Sequence, residues 1–231
     1  IAVITNIDND HLSFYDSNQE KLNQSFVSFA ENLPFYGHIF LNLDDLNIRK
    51  ISKEIHRRQI TFGFNSKNRF QITDAKLENG LQKFQLRDHN NKKQYKFSTN
   101  LSGRHNLYNV TAAICVAIEE NISVKDIAKG LANFRGVGRR FEVSEIYFSN
   151  YSHVLIDDYG HHPAEILSTI LAAKEKFPRQ KICMIFEPHR FTRTQQLFDD
   201  FKKVLSRVDF LLLLDIYPAS EKPIKGISSK K

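Results

Sequence analysis

The sequence predicts an α/β protein in two parts, and three patterns along the chain support this prediction. Short apolar runs alternate with helical periodicity over residues 1–64, which is typical of a parallel sheet covered by helices. Between 70 and 99, three segments alternate apolar and polar residues and are separated by turn signals, which indicates an antiparallel meander. From residue 152 the strand–helix alternation returns and predicts half of a doubly wound sheet.

The elements of the first part follow from their start and stop signals. Strands are predicted at 1–5, 38–43 and 59–64. The meander strands are predicted at 70–75, 83–87 and 94–99, with turns at 78–80 and 89–91. Helices are predicted from Asp16 or Ser17 to 32, from Asp44–Asp45 to about Arg57, over 107–119, and over 123–133 with Ser123 as N-cap.

The glycine-rich basic segment 134–142 predicts a domain boundary near residue 140, which gives domains 1–140 and 141–231. Beyond it, strands are predicted at 152–156, 181–186 and 208–215, with helices at 163–177 and 194–206. The apolar run Val154–Ile156 is expected to be buried.

A polar loop follows each of these three strands, at 157–162, 187–193 and 217–222. The carboxyl ends of neighbouring parallel strands share one edge of a sheet. We therefore expect the three loops to lie together.

Composition limits the class of protein. The 231 residues are 41% hydrophobic, which is sufficient for a packed core. No apolar run reaches the roughly 18 residues of a membrane-spanning helix, so no membrane insertion is expected. The N-terminus has neither Met nor the basic flank of a signal peptide, and we expect a fragment that starts inside a domain.

Cys115 and Cys183 are expected to be buried thiols outside any disulfide.

The net charge of +7 is compatible with nucleic acid, a membrane surface or small anions as partners. The basic residues are dispersed or grouped in loops rather than forming a stripe with aromatic residues, so no nucleic-acid partner is expected.

Three small clusters could carry chemistry, and each has a structural alternative. The segment Asp8–His11 follows the first strand and could hold Mg²⁺ near phosphate, or form an acidic surface loop. Asn106 and Asn109 share a helix face and could pair with adenine, although Asn106 could instead cap the helix. Arg139 and Arg140 follow two glycines and could bind phosphate or form a solvated linker.

The segment 187–194 has the highest concentration of side chains that could bind or react with a ligand. His189, Arg190 and Arg193 lie there between a predicted strand and a predicted helix. Guanidinium groups and free backbone N–H groups at a helix start attract carboxylates and phosphates. With Asp157–Tyr159 and His161–His162, this segment predicts an anion-binding cleft lined by titratable groups. A purely structural role for 187–194 is the alternative. The sequence shows no activated nucleophile and no zinc-ligand spacing.

Six motifs resemble the Mur ligase family and occur in the family's order: Thr5–Leu12, Leu33–Gly37, Gly103–Asn106, Gly138–Phe141, Asp157–Pro163 and Pro188–Thr194. The resemblance runs from residue 1 to about 226 and is strongest to members that join L-alanine to UDP-N-acetylmuramate. It implies that 1–140 is the rear part of the P-loop-type central ATP-binding domain, including the meander. It implies that 141–231 is the front part of the Rossmann-like C-terminal domain, so both domains would be incomplete.

The family resemblance implies a cytoplasmic ligase that uses ATP and Mg²⁺ and acts on UDP-N-acetylmuramate and L-alanine through an acyl phosphate. It also implies an N-terminal UDP-sugar domain and a P-loop segment that are missing from these 231 residues, where no Gly-x-x-x-x-Gly-Lys-Ser/Thr occurs. We therefore expect the chain alone to be inactive.

The resemblance assigns roles to particular residues. Metal binding is assigned to His11. Contacts to adenine, phosphate and ribose are assigned to Asn106, Asn109, Arg140 and Asp158. Binding of the muramoyl carboxylate and of alanine is assigned to Tyr159, His161, His189, Arg190 and Arg193. The catalytic candidates are His11, His189, Arg190 and Arg193. Several relatives carry a carbamylated lysine, and the matching position here is Ser25.

Two other hypotheses stay open from the sequence. The chain could be a truncated Mur ligase fragment that keeps the fold without activity. It could also be a basic nucleic-acid-binding domain, which would show steeply salt-dependent duplex binding.

Overall fold

The computed structural model describes residues 1–8, 15, 16 and 18–230, and it divides into two compact units, Ile1–Arg135 and Gly136–Lys231. Asp10, His11 and Ser17 lie outside the described residues. The predicted domain boundary near residue 140 falls shortly after this division.

The first unit contains a six-stranded mixed sheet in sequential order. Its strands are β1 (Ala2–Ile4), β2 (His38–Asn42), β3 (Arg58–Gly63), β4 (Phe70–Glu78), β5 (Leu81–Asp88) and β6 (Lys93–Thr99). The pairs from β1 to β4 are parallel, whereas β4, β5 and β6 form the predicted antiparallel meander. In the β4–β5 turn, Asn79 and Gly80 have φ of 51° and 75°, as a type I′ turn requires.

Among the described residues of this unit, four helices accompany the sheet: α1 (Gln19–Glu31), α2 (Leu46–Ile51), α3 (Arg104–Glu119) and α4 (Val124–Asn133). Strand β2 shows how the core is divided. Phe40 packs in a cluster with residues of α3 and α4, whereas Ile39 and Leu41 pack in a second cluster with residues of α1 and α2. Successive side chains point to opposite faces of a strand, so β2 is buried on both faces.

The first two helices differ in their ends from the prediction. α1 is capped by Asn18, whose side chain accepts hydrogen bonds from the backbone N–H groups of the first turn, rather than by Asp16 or Ser17. α2 ends at Ile51 instead of reaching Arg57. The Arg57 guanidinium donates to the backbone carbonyl of Leu33 at 2.8 Å, which ties this connection to the end of α1.

The second unit contains two separate two-stranded sheets among its described residues. Strands β7 (Glu142–Phe148) and β8 (Tyr151–Asp157) form an antiparallel hairpin, and β9 (Cys183–Phe186) pairs in parallel with β10 (Phe210–Leu213). The helices are α5 (Pro163–Lys176), α6 (Phe191–Gln196) and α7 (Phe198–Leu205). The apolar core of the unit joins α5 and α7 to one face of the β9–β10 pair through Ile170, Phe186 and Phe201.

Three predictions for the second unit are wrong in detail. The strand β7 was not predicted, and it pairs with β8, so β8 is not hydrogen-bonded to β9. Val154 and Leu155 are consequently exposed rather than buried, because the hairpin has little packed against it. The single helix predicted at 194–206 begins at Phe191 and is interrupted at Leu197, where φ is −110°.

The two cysteines differ in environment. Neither is in a disulfide, and Cys115 is buried as expected, whereas Cys183 is exposed. Strand β9 explains the exposure of Cys183, since Ile185, which points to the same face, is also exposed while Phe186 is buried. In the part of the chain that the structure describes, no helix is both long enough and apolar enough to cross a membrane.

We expect Gly63→Ala to destabilise the first unit by at least about 2 kcal/mol, because it adds both backbone strain and a steric clash. Gly63 has φ of 148°, and a Cβ there would lie 2.7 Å from Cγ of Asp44. Urea unfolding measures the change. The matched control is Gly130→Ala in α4, where nothing lies within 4 Å of the added Cβ. That substitution should stabilise by about 0.5–1 kcal/mol. Equal stability of the two variants would contradict this account.

Candidate functional site

The three predicted loops of the second unit meet through a series of ring contacts. The ring centroids of Tyr159 and His161 lie 5.5 Å apart, and those of His161 and His189 lie 6.1 Å apart. His189 stacks on Tyr217 at 5.1 Å with an interplanar angle of 29°. We call the loops 158–162, 187–193 and 217–222 the rim. The rim forms although β8 is not paired with β9, so the predicted convergence is present but has a different basis.

The second and third loops of the rim are joined by their backbones. His189 and Tyr217 form a parallel bridge beyond the ends of β9 and β10. Tyr217 N–H donates to the carbonyl of Pro188 at 2.8 Å, and Arg190 N–H donates to the carbonyl of Tyr217 at 2.9 Å. Arg190 has φ of 77°, a conformation that is uncommon for a residue other than glycine. This strained residue is therefore fixed by a hydrogen bond from outside its own segment.

Arg193 lies in the first turn of α6 and is buried, with 9% of its surface exposed. One of its guanidinium nitrogens is 3.4 Å from the carbonyl oxygen of His189, to which it donates. Buried arginines are rare unless they are paired. His189, Arg190 and Arg193 lie together as the sequence predicts, with His189 and Arg190 just before α6 and Arg193 in its first turn.

The backbone N–H groups at the start of α6 were predicted to be free for an anion, and this is wrong. Glu221 accepts hydrogen bonds from Thr192 N–H at 3.0 Å and from the Thr192 hydroxyl at 2.7 Å. Burial acts to raise the pKa of Glu221. The hydrogen bonds from Thr192 and Phe191 and the charge of Arg190 outweigh that effect, so the pKa lies below its usual value. An anionic ligand would meet the arginine side chains instead.

The imidazole of His189 is disposed to remain neutral. Burial lowers its pKa, and the nearby Arg193, His161 and Arg190 lower it further, against an opposing effect of Glu187. A neutral imidazole offers one acceptor nitrogen, which a protonated one does not. The lowered pKa favours the neutral form of His189, which is a weaker base than an ordinary imidazole.

Asp158, the predicted ribose contact, organises the linker and the first loop of the rim. One carboxylate oxygen accepts Phe141 N–H and the other accepts Gly160 N–H, both at 2.8 Å. Tyr159 N–H donates to the carbonyl of Arg139 at 2.8 Å, and the Arg139 guanidinium lies 5.1 Å from the centre of the Tyr159 ring. A Cβ at position 160 would come within 2.6 Å of the Asp158 carboxylate, so glycine is needed there.

The first loop of the rim passes into α5 through a fixed cap. Glu165 accepts the backbone N–H groups of His161 and His162 at 2.9 and 3.1 Å, and Pro163 occupies the first turn. Burial raises the pKa of Glu165, but these two hydrogen bonds and the charges of His161 and Arg140 outweigh it, and the net shift is downward. The cap leaves the His161 ring directed along the rim toward His189.

In the first unit, the predicted adenine contacts lie on the first turns of α3. Asn106 donates to the carbonyl of Ser102 at 2.7 Å and accepts from Asn109 at 3.5 Å. The alternative that Asn106 caps the helix is wrong, because α3 begins at Arg104 and its N-cap is Gly103 with φ of 94°. Asn109 is exposed. The two carboxamides are therefore linked to each other, as their spacing predicted.

Asp44 was predicted only as a helix cap, yet it connects three parts of the first unit. Its carboxylate accepts Phe64 N–H at 2.6 Å, Asn65 N–H at 3.0 Å and the Tyr108 hydroxyl at 3.0 Å. The ends of β2 and β3 are thereby tied to α3. The side chain that caps α2 is that of Asp45, not that of Asp44. The paired aspartates were the only signal in the sequence, and they did not indicate these distant partners.

The predicted metal residue His11 lies outside the described residues, so its environment is not described. Among residues 1–8, 15, 16 and 18–230, no group of three or more His, Cys, Asp or Glu side chains is placed to hold a metal ion.

A mixed sheet followed by a second α/β unit with a histidine- and arginine-bearing rim places the chain among two-part α/β proteins. The Mur ligase middle domain matches residues 1–117, and the Mur ligase glutamate ligase domain matches residues 139–230. The chain belongs to the Mur ligase family. The family resemblance and the α/β fold class inferred from the motifs are confirmed.

Three relatives illustrate the similarity. The UDP-N-acetylmuramate–L-alanine ligase of Vesicomyosocius okutanii is 43% identical over 230 residues, which are 99% of this chain and 49% of that protein. The crystal structure of the UDP-N-acetylmuramate–alanine ligase of Thermotoga maritima is similar with a TM-score of 0.73 at 25% identity, over 93% of this chain and 45% of that one. The MurF ligase of Thermotoga maritima in complex with ADP shares the fold, with a TM-score of 0.74 at 18% identity over 92% and 48% of the two chains. This chain spans about half the length of the curated relatives it matches.

We expect the His189 imidazole to titrate below the usual histidine range, with a midpoint that rises in Arg193→Gln because one neighbouring positive charge is removed. NMR measures the two midpoints from the pH dependence of the His189 ring C–H signals. These signals are assigned as the ones that disappear in His189→Gln. The exposed Arg207→Gln serves as control and should leave the midpoint unchanged.

The same pKa shift has a consequence for stability. The folded chain takes up the His189 proton at a lower pH than the unfolded chain does. This contribution to stability is therefore complete above the usual histidine pKa and is lost as the pH falls from there through the lowered pKa. A midpoint within or above the usual range would contradict the assigned environment of His189.

Proposed function

We propose that this chain is part of a longer ATP-dependent ligase that joins L-alanine to the lactyl carboxylate of UDP-N-acetylmuramate. The observation that carries the proposal is the gathering of His189, Arg190 and Arg193 with Tyr159 and His161 on one rim. The name and 43% identity of a curated relative support the choice of substrates. A cytoplasmic location belongs to the same proposal.

The rim fits two small carboxylates better than it fits a polyanion. The guanidinium groups supply forked donors that match a carboxylate, and they come from only two side chains, Arg190 and Arg193. Tyr159 and His161 add a phenol and an imidazole beside them. In the proposal, these groups orient the muramoyl carboxylate and the carboxylate of alanine with respect to each other. Such orientation is a large part of the catalytic gain in joining two reactants.

The chemistry requires activation, because a carboxylate is a poor electrophile. In the proposed reaction, an oxygen of the lactyl carboxylate attacks the γ-phosphorus of ATP, the bond between the β- and γ-phosphates breaks, and the products are an acyl phosphate and ADP. The alanine amine then forms the C–N bond as the C–O bond to phosphate breaks. The amine must lose a proton, and neutral His189 is the acceptor that the rim offers.

Nucleotide contacts are proposed for both units separately. Asn106 and Asn109 of the first unit would meet the adenine through their donor and acceptor atoms. In the second unit, Arg140 would reach phosphate and Asp158 would meet the ribose. Each Asp158 oxygen accepts one backbone N–H, which leaves a further lone pair for a ribose hydroxyl.

Magnesium is proposed as a cofactor, and His11 is the only residue proposed to bind it. Bound Mg²⁺ would offset the repulsion between phosphate and carboxylate. The described residues hold no matching group of ligands, so no step is assigned to the metal.

We expect the complete ligase that contains this chain to release phosphate only when ATP, UDP-N-acetylmuramate and L-alanine are all present. The 231 residues alone should release none, because they contain no phosphate-binding P-loop. A coupled phosphate assay checks both. Failure of the complete protein would refute the proposed reaction, whereas turnover by the 231 residues would refute the need for a missing P-loop segment.

Within the complete ligase, we expect Asn109→Ala to raise KM for ATP by roughly 10-fold, since a buried hydrogen bond to the base is worth about 1 kcal/mol or more. The stability of the protein should change little, because Asn109 is exposed and its side-chain amide donates a long hydrogen bond of 3.5 Å to Asn106. Steady-state kinetics at varied ATP measures the effect. Asn133→Ala, an exposed Asn on α4, is the matched control, and equal KM values for both variants would remove Asn109 from the nucleotide site.

A further inference from the structure

We propose that Glu221 is a positioning residue for the substrate-binding segment 187–193, acting from the turn that follows β10. The proposal rests on the proposed function, because it takes His189, Arg190 and Arg193 as substrate contacts. Glu221 itself touches neither reacting group. It acts by fixing the first turn of α6, which Arg190 directly precedes and which contains Arg193.

The turn that carries Glu221 is itself constrained. Glu221 N–H donates to the carbonyl of Pro218 at 2.9 Å, which closes a β-turn over residues 218–221. The two central residues, Ala219 and Ser220, have φ of 45° and 71°. Positive φ at both central positions is the type I′ geometry, which glycine and asparagine adopt far more readily than alanine or serine. This unfavourable backbone turns the chain back so that Glu221 faces α6.

The start of α6 lacks a cap of its own. Arg190 precedes the helix and makes no side-chain capping hydrogen bond. Glu221 supplies the cap from another part of the chain, since its carboxylate accepts both the N–H and the hydroxyl of Thr192. A negative charge at this end of a helix is favourable, and it also faces Arg190. The acceptor and the charge of Glu221 thus act on the same turn.

Two attachments then hold the strained Arg190 between them. Before it, the His189–Tyr217 bridge fixes the backbone, with the Tyr217 carbonyl accepting Arg190 N–H. After it, Glu221 fixes Thr192. Residues in sparsely populated φ/ψ regions persist only when their surroundings determine them strongly, and they concentrate at functional sites. The segment 217–221 therefore clamps 187–193, and Glu221 is the part of the clamp that a side-chain substitution can remove.

The first test uses the 231-residue chain and reads the clamp directly. Amide hydrogen exchange should accelerate at Phe191 and Thr192 in Glu221→Ala by about 10-fold or more, because their acceptor is lost. Glu221→Gln keeps an acceptor without the charge and should retain part of the protection. Glu175→Ala removes an exposed glutamate of α5 and should leave both amides unchanged. Unchanged exchange in Glu221→Ala would overturn the proposal.

The second test uses the complete ligase and separates positioning from folding. Glu221→Ala should raise KM for UDP-N-acetylmuramate or alanine by on the order of 10-fold, with KM for ATP unchanged, because misplaced arginines weaken substrate binding. Glu221→Gln should recover part of the loss, and Glu175→Ala should match the unsubstituted enzyme. A purely structural role would reduce the folded fraction, which lowers the apparent kcat and leaves every KM in place. That pattern would overturn the proposal.

The two tests also distinguish this proposal from the proposed function. If the unsubstituted ligase shows no alanine-dependent phosphate release, the proposed reaction fails and the substrate role of the clamp fails with it, whatever the exchange test shows. If the ligase is active and Glu221→Ala changes exchange but no KM, the reaction stands and only the positioning role is refuted.

Discussion

The parallel pairing of β9 with β10 is the constraint on which the candidate site depends, because the His189–Tyr217 bridge continues that pairing beyond the ends of both strands. A parallel ladder brings two carboxyl ends to the same edge of a sheet. The bridge sets the spacing of the second and third loops of the rim, and the His161–His189 contact adds the first. The apolar contacts of Phe186 and Phe201 beneath the strands hold this edge in place.

Asp158 and Glu221 of the rim and Glu165 beside it are committed to backbone groups, whereas Glu187 of the rim is exposed and opposes the lowering of the His189 pKa. Asp158, Glu165 and Glu221 each accept at least two hydrogen bonds from backbone or neighbouring hydroxyl groups. Their negative charge stabilises turns and helix starts. Burial, together with the nearby Arg193, His161 and Arg190, lowers the pKa of His189 against the opposing effect of Glu187. The rim therefore combines two guanidinium groups with an imidazole whose neutral form is favoured.

The periodicity of the sequence was sufficient for most elements. The meander, the alternation in 1–64 and the polar loops after strands were predicted because each depends on local burial and turn chemistry, as Asn79 and Gly80 show. The strand β7 was missed because every residue of Glu142–Phe148 is exposed, so burial left no pattern of its own in that segment. The pairing of β8 is local, because β8 follows β7 through the two residues Ser149 and Asn150, and it was missed because β7 itself was not predicted.

By itself, the sequence determined the α/β class, the family and the grouping of His189, Arg190 and Arg193, because these depend on residue types at short spacings along the chain. Only the tertiary structure decided which partners the polar groups take. Asp44 reaches Phe64 and Tyr108, and Glu221 reaches Thr192, over separations that no local pattern records. The physical reason is that a buried or half-buried polar group needs a partner, and folding brings that partner from whichever segment lies nearest in space.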